Sequence, residues 1–325
     1  MKAIVQDVYG PPDVLELRDI DKPVARDDEV LIRVRAAGVD PSVWHLMTGL
    51  PYPIRLMGFG LRKPKLRIRG WDVAGRVESV GRNVTRFAPG DEVFGTCEGS
   101  YAEYACTRED RLAAKPSRTT FEQAAAVPIS AFTALHCLRE QGRIQRGQKV
   151  LVIGAGGGVG TYAVQLAKAV FGAEVTGICS TGKTELVRSL GADHVIDYTR
   201  DDFAGGGRHY DLILDTAGNR PLSHLRRGLT ARGTLVIVGG EGGGRWLGGL
   251  HRALGALALS PFVGQNLRAP FVKEPQADIL QSLAEFIEAG QITPVVDRTY
   301  PLSEAPDAIR HWETGHTRGK LVVTV

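Results

Sequence analysis

The sequence predicts an α/β protein in which a doubly wound parallel sheet is joined to a smaller β-rich domain. Three observations predict it. Residues 150–153, Val-Leu-Val-Ile, form a wholly apolar run, as expected of a strand buried on both faces. A glycine cluster follows at once, at Gly154, Gly156, Gly157, Gly158 and Gly160, and a helix-like pattern then runs through Lys168. Beyond it, strand-like and helix-like stretches alternate as far as residue 238.

Strand, glycine turn and helix are what a pyrophosphate needs. Glycines let backbone N–H groups approach the anion without a Cβ in the way, and the helix N-terminus supplies positive dipole. The spacing is Ala155-x-Gly157-x-x-Gly160, one glycine short of the full G-x-G-x-x-G, so its context carries the reading.

The chain of 325 residues is long enough for two domains, each with its own core. Its net charge of +4 is mild and does not imply nucleic acid. Cys97, Cys106, Cys137 and Cys179 show no CxxC spacing, so free thiols in a cytoplasmic protein are expected. Met1 leads straight into strand-like residues, so no targeting segment is expected. No apolar run reaches membrane-spanning length.

Taken in order, the first 115 residues read as β-rich, with strands at 2–7, 14–17, 29–36, 72–80, 92–96 and 101–107. Frequent Gly and Pro between short strands suggest a barrel-like domain. A basic stretch, Arg55, Arg62, Lys63, Lys65, Arg67 and Arg69, is interleaved with Leu, Phe and Met. It reads as a loop or flap over a cleft rather than a nucleic-acid patch. Thr120 and Gln123 form a capping-box signature, and Ser130 is placed to cap a second helix at 131–141. Strands then fall near 150–153, 174–179, 194–196, 212–215 and 234–238, with helices near 158–170, 184–190 and 222–229. Residues 205–207 and 239–249 are glycine-rich loops. A helix near 247–259 and a strand near 267–272 extend the sheet. The amphipathic helix 277–289, strand 295–300, helix 303–312 and strand 320–325 close the chain, the last pieces returning to the first domain.

The segments 2–14, 90–104, 124–138, 149–168, 190–198 and 300–325, in this order and spacing, carry a resemblance that covers nearly the whole chain. The chain resembles a zinc-independent medium-chain dehydrogenase/reductase of the quinone oxidoreductase-like branch. The resemblance implies a GroES-like catalytic domain at 1–122 and 292–325 and a Rossmann NADP-binding domain at 123–291. It also implies NADPH in a cleft between them and, as is usual there, a homodimer. The implied reaction moves hydride to a quinone or an activated alkene, an enone or enal.

By the same resemblance, Asp40 and Trp71 stand where zinc-dependent relatives carry their first Cys and His ligands. Tryptophan cannot ligate and there is no four-Cys lobe, so no metal is expected. The implied cofactor contacts are Asp40, Thr133, Gly157, Gly158, Val159, Gly160, Tyr198, Asn219 and Gly239. Asp40 departs from the Asn usual in this branch, and Val43 from a usual polar residue. After the second sheet strand come Ser180, Thr181 and Lys183, where NAD enzymes place an acid. Hydroxyls and a lysine suit a 2′-phosphate and favour NADPH. Residues 177–184 also spell G-x-x-x-x-G-K-T, but Gly177 falls within the strand, which argues against a triphosphate loop. The donors offered to an acceptor are His45, Ser42 and Tyr52, in the loop expected to face the nicotinamide. Three alternatives remain at this point: a non-catalytic NADPH-binding sensor, a crystallin-like RNA-binding protein, and a zinc-type alcohol dehydrogenase. The expected partners are a small quinone or enone and a second copy of the chain, with no membrane and no nucleic acid.

Overall fold

The computed structural model describes residues 1–204, 207–240, 244–271 and 274–325. The chain divides into two compact units, Met1–Phe132 with Glu274–Val325, and Thr133–Lys273.

The first unit opens with β1 (Lys2–Val5) paired antiparallel to β2 (Glu16–Asp19). The long β3 (Glu29–Val39) leads into α1 (Pro41–Thr48). Then come β4 (Asp72–Val80), β5 (Glu92–Thr96), β6 (Tyr104–Arg108) and β7 (Leu112–Ala114). Next is α2 (Phe121–Ala125), whose reciprocal cap is as the sequence predicts: Gln123 N–H donates to the Thr120 hydroxyl at 3.2 Å, and Thr120 N–H to the Gln123 side chain at 3.1 Å. The following helix, α3 (Pro128–His136), starts at Pro128 rather than at 131, because a first helical turn has no use for the N–H that proline lacks.

The second unit is a parallel sheet. Its elements are β8 (Lys149–Ile153), α4 (Gly158–Gln165), β9 (Glu174–Cys179), α5 (Thr184–Ser189), β10 (His194–Asp197), β11 (Tyr210–Asp215), α6 (Leu222–Arg227), β12 (Leu229–Ile237), α7 (Gly244–Leu247), α8 (Leu250–Leu259) and β13 (Asn266–Arg268). The strand order is β10-β9-β8-β11-β12-β13, with every neighbouring pair parallel. Val150, Leu151, Val152 and Ile153 are wholly buried, as their apolar run requires. From β8 the chain winds outward to one side, then returns to β11 on the other. The turn after β8 therefore lies at the switch point of the sheet, where α/β proteins hold ligands.

The chain then completes the first unit with α9 (Ala277–Glu288), β14 (Val296–Pro301), α10 (Ala305–Glu313) and β15 (Lys320–Thr324). Here the order is β14-β15-β3-β4-β5-β7, with β6 also on β3. Ile4, Val43, Met47, Ile309, Leu321 and Val323 share one buried cluster in this unit.

The unit boundaries differ from the expected 122 and 292 for a packing reason. Helix α2 rests on β3 and β4, and α9 rests on β7, so both belong to the first unit. Ser117 Oγ donates to the Glu288 carboxylate at 3.1 Å, tying α9 there. The strand expected at 267–272 spans only Asn266–Arg268, and Val272 lies outside the described residues, as do Gly205, Gly206 and 241–243 of the expected loops. The helix expected at 222–229 stops at Arg227, because Leu229 already opens β12.

Candidate active site

The glycine turn follows directly from β8. Gly154 has φ +82°, a left-handed conformation that glycine adopts without steric cost. Its N–H and that of Ala155 both donate to the Ile178 carbonyl, at 3.1 and 2.9 Å. Gly157 is the N-cap of α4 and offers no side chain to it. The first intrahelical bond runs from Thr161 N–H to the Gly157 carbonyl at 3.0 Å. The N–H groups of Gly158, Val159 and Gly160 precede it, at the positive end of the helix dipole. A Cβ at Gly160 would lie 2.1 Å from the Gly154 carbonyl oxygen, whereas one at Gly157 would meet nothing nearer than 3.4 Å. Gly160 is thus required by the fold. Gly157 leaves an open cradle that a side chain would fill.

Beyond β9, Ser180 precedes a short 3₁₀ turn, Thr181–Lys183, that leads into α5. The Lys183 stem lies along the glycine turn: a Cβ at Gly156 would sit 2.8 Å from Lys183 Cδ. Thr181 Oγ1 donates to Asp197 Oδ2 at 2.5 Å. Asp197 also accepts from the Thr199 N–H at 3.0 Å and the Thr199 hydroxyl at 2.8 Å. The Thr181 hydroxyl, followed by Thr199, holds the Asp197 carboxyl below the usual range. Sequence reasoning missed this acid. It closes the neighbouring parallel strand β10 and stands in register with Cys179, the last residue of β9.

Tyr198 comes next and is 51% exposed, with the Arg220 guanidinium 5.8 Å from its ring centre. Ser180, Thr181 and Lys183 thus follow the end of β9, and Tyr198 the end of the neighbouring β10, where its N–H donates to the Cys179 carbonyl at 3.1 Å. Asn219 is exposed past β11, and Arg220 donates to its side chain at 3.4 Å. Gly239 follows β12, where a Cβ would approach the Thr216 carbonyl oxygen to 2.3 Å, so the fold itself demands glycine there. Thr133 is buried within α3.

In the first unit, Asp40 is the N-cap of α1. Its Oδ1 accepts the Ser42 N–H at 2.8 Å and also the Ser42 hydroxyl. Ser42 therefore spends its proton on the cap. Asp40 is buried, and its Oδ2 has no hydrogen-bond partner among the described residues. Asp72 is also buried and accepts from Lys320 Nζ at 3.0 Å and from Ile129 N–H at 2.9 Å. Burial pushes the Asp72 carboxyl up, to about 6, against the pull of Lys320 and with a push from Asp40.

His45 Nδ1 lies 2.7 Å from the Leu50 carbonyl. A carbonyl only accepts, so this nitrogen bears the hydrogen. Arg55 stands between the rings of Tyr9 and Tyr52, at 4.3 and 4.9 Å from their centres. The six basic residues of this stretch thus have different fates. Arg55 stacks, Arg67 pairs with Asp7, and Arg69 is buried.

The donor set does not fit a catalytic zinc. Trp71 offers no lone pair, Asp40 caps a helix and Asp72 is held by Lys320. Among the described residues, no three His, Cys, Asp or Glu side chains converge to hold a metal. Nor is there an activated thiol. Burial pushes Cys106 and Cys179 up to about 11 and Cys137 to about 12, and raises Cys97 as well.

Comparison with known proteins agrees with this architecture. A family model described as an alcohol dehydrogenase GroES-like domain matches residues 26–117, and one described as a zinc-binding dehydrogenase matches 190–323. The chain is 34% identical to 2-methylene-furan-3-one reductase of Solanum lycopersicum, over 99% of its own length and 79% of the relative's. It is 35% identical, with the same coverage, to the chloroplastic NADPH-dependent alkenal/one oxidoreductase of Arabidopsis thaliana. The quinone oxidoreductase from Coxiella burnetii has the same fold, with a TM-score of 0.87 and 29% identity over 100% of this chain and 99% of that one.

Proposed function

The chain belongs to the medium-chain dehydrogenase/reductase family, on its quinone oxidoreductase-like branch, and from this we propose that it is an NADPH-dependent reductase of quinones or activated alkenes. The observation that carries the reading is the turn from Gly154 to Gly160, with an open cradle at Gly157 and Lys183 laid along it. NADPH, when bound, supplies the hydride. The chain's own part is to hold and orient. The N–H groups of Gly158, Val159 and Gly160 hold the diphosphate, and Lys183 with Ser180 takes the 2′-phosphate, while Thr181, its hydroxyl proton given to Asp197, borders that site. Thr133, Tyr198, Asn219 and Gly239 complete the cofactor contacts in this reading. His45 and Tyr52 serve the acceptor side, while Ser42 and Asp40 shape the helix that carries His45.

Two further parts of the reading rest on the surface and the thiols. Strand β13 ends the second unit's sheet, and Phe262 and Phe271 beside it are 85% and 77% exposed, which supports a homodimer built on that edge. All four cysteines are free, which favours a reducing compartment such as the cytoplasm. No helix among the described residues is long and apolar enough to cross a membrane.

The test is steady-state oxidation of NADPH with 9,10-phenanthrenequinone or an enal, alongside metal analysis and chelator treatment. Sustained turnover without metal is expected. Cofactor binding without turnover across a broad acceptor panel would leave only a sensor, and zinc whose removal abolishes activity would overturn the metal-free assignment.

A further inference from the structure

Asp215 is the last residue of β11 and is wholly buried, and Arg252, on the first turn of α8, is 8% exposed. Arg252 Nη2 donates to Asp215 Oδ2 at 2.5 Å. The other carboxylate oxygen, Oδ1, accepts the Gly218 N–H at 3.0 Å. The other guanidinium end, Nη1, donates to the Gly239 carbonyl at 3.4 Å. The main chain repeats the link, because the Asp215 carbonyl accepts the N–H groups of Val238 and Gly239 at 2.9 and 3.1 Å. One ion pair thus ties the loop after β11 to the loop after β12. The two loops lie so close that a Cβ at Gly218 would sit 2.6 Å from the Gly239 carbonyl oxygen. The first loop is also joined to the root of the glycine turn, where the Thr216 hydroxyl donates to the Ile153 carbonyl at 2.7 Å.

Burying this pair is a poor way to gain stability. Two charges leave water, and Arg252 Nε, also buried, has no hydrogen-bond partner among the described residues to offset its share. What the pair does fix is the spacing of two strand-end loops, and their place in the sheet says what they serve. The glycine turn follows β8, and Ser180 and Lys183 follow β9. Strands β11 and β12 lie on the other side of β8. A dinucleotide laid across these strand ends, with its diphosphate at the turn and its 2′-phosphate beyond β9, has its nicotinamide half over the loops after β11 and β12. We infer that Asp215 and Arg252 are positioning residues for that half, acting through Gly218, Asn219 and Gly239. The inference rests on the NADPH reading and gives α8 a part in orienting the cofactor.

The two halves of the cofactor provide the test. Wild type and variants are titrated with NADPH and with 2′,5′-ADP, which carries the adenosine and the 2′-phosphate but no nicotinamide. Arg252→Met alone strands a buried carboxylate and can fail to fold. The main variant is therefore Asp215→Asn with Arg252→Met, which removes both charges and keeps an acceptor for the Gly218 N–H. It should melt near the wild type, bind 2′,5′-ADP as the wild type does, and bind NADPH at least about tenfold more weakly. Arg252→Lys keeps the charge but offers one donor group to two acceptors, and should fall between. Without cofactor, the Gly218 and Gly239 amides should exchange with deuterium faster in the double variant, while those of Val150, Leu151, Val152 and Ile153 keep wild-type rates.

Wild-type NADPH affinity in the double variant overturns the inference. So does an equal loss for NADPH and 2′,5′-ADP, which is the mark of a general structural role. Should the double variant not fold, Arg252→Lys carries the same comparison with the same two outcomes. A wild type that binds neither ligand overturns the NADPH reading itself, and the inference with it.

Discussion

Lys320 Nζ donates to Asp72 Oδ2 at 3.0 Å across 248 residues of sequence, with both side chains buried. The pair joins the first residue of β15 to the first residue of β4. Removing one member of a buried pair leaves the other uncompensated, so Lys320→Met should cost about 3–5 kcal/mol at pH 8. The loss should shrink as pH falls. The Asp72 carboxyl sits at about 6 in the folded protein, above its ordinary 3.8, so the folded state holds this proton more tightly than the unfolded one. Stability from this group therefore rises as pH drops from about 6 to about 4. Without Lys320, protonation relieves the orphaned carboxylate. Denaturant titrations of both proteins at pH 8 and pH 5 measure this, and a loss independent of pH would disprove it.

Two glycines three residues apart should behave oppositely when changed to valine. Gly157→Val meets only ordinary contact, so the variant should fold and melt near the wild type while NADPH binding collapses. Gly160→Val drives a Cβ onto the Gly154 carbonyl and should fail to fold. Melting curves and fluorescence titration with NADPH read both outcomes. Intact NADPH affinity in Gly157→Val would refute the role of the turn.

Cofactor choice should depend on Lys183. A charge-assisted bond to the 2′-phosphate is worth about 1.5–3 kcal/mol, so Lys183→Ala should weaken NADPH roughly ten- to a hundredfold. NADH lacks that phosphate and should lose far less. Dissociation constants of both cofactors at fixed salt decide it. Equal losses would mean that Lys183 serves only to pack on Gly156.

The apolar surface beside β13 predicts an assembly. Leu250, Leu254 and Leu257 form an exposed stripe on α8, and Phe262 follows. Light scattering at micromolar concentration should give twice the monomer mass, and Leu254→Glu with Phe262→Glu should give the monomer. A wild-type monomer throughout that range would remove the proposal.

What the sequence made legible was local. A four-residue apolar run followed at once by glycines can be little else than a buried strand and a tight turn, and Thr120 with Gln123 announces its own cap. Asp40 reads from the sequence as a cofactor contact, whereas in the structure it caps α1 ahead of a first-turn proline and accepts from Ser42. Other relations depend on strand order and had no local mark. Asp72 and Lys320 meet only because β15 enters beside β3. Asp197 reaches Thr181 only because β10 lies parallel to β9. Arg69 reads as one more member of a basic stretch until burial separates it from its neighbours. The limits of the two units likewise turned on which sheet α2 and α9 cover.

The two units also face different problems during synthesis. Every strand of the parallel sheet comes from one continuous stretch, so that unit has all its parts as soon as residue 273 clears the ribosome. The other sheet must wait, because β15 is the last strand to be made and fills the gap between β14 and β3. Until it arrives, β3 keeps an open edge along Ala36 to Val39, and nascent-chain handling falls on that half of the molecule. On a ribosome stalled after residue 313, far enough on for residue 273 to have left the exit tunnel but before β15 is made, the parallel-sheet unit should resist protease while the β-rich half is cut.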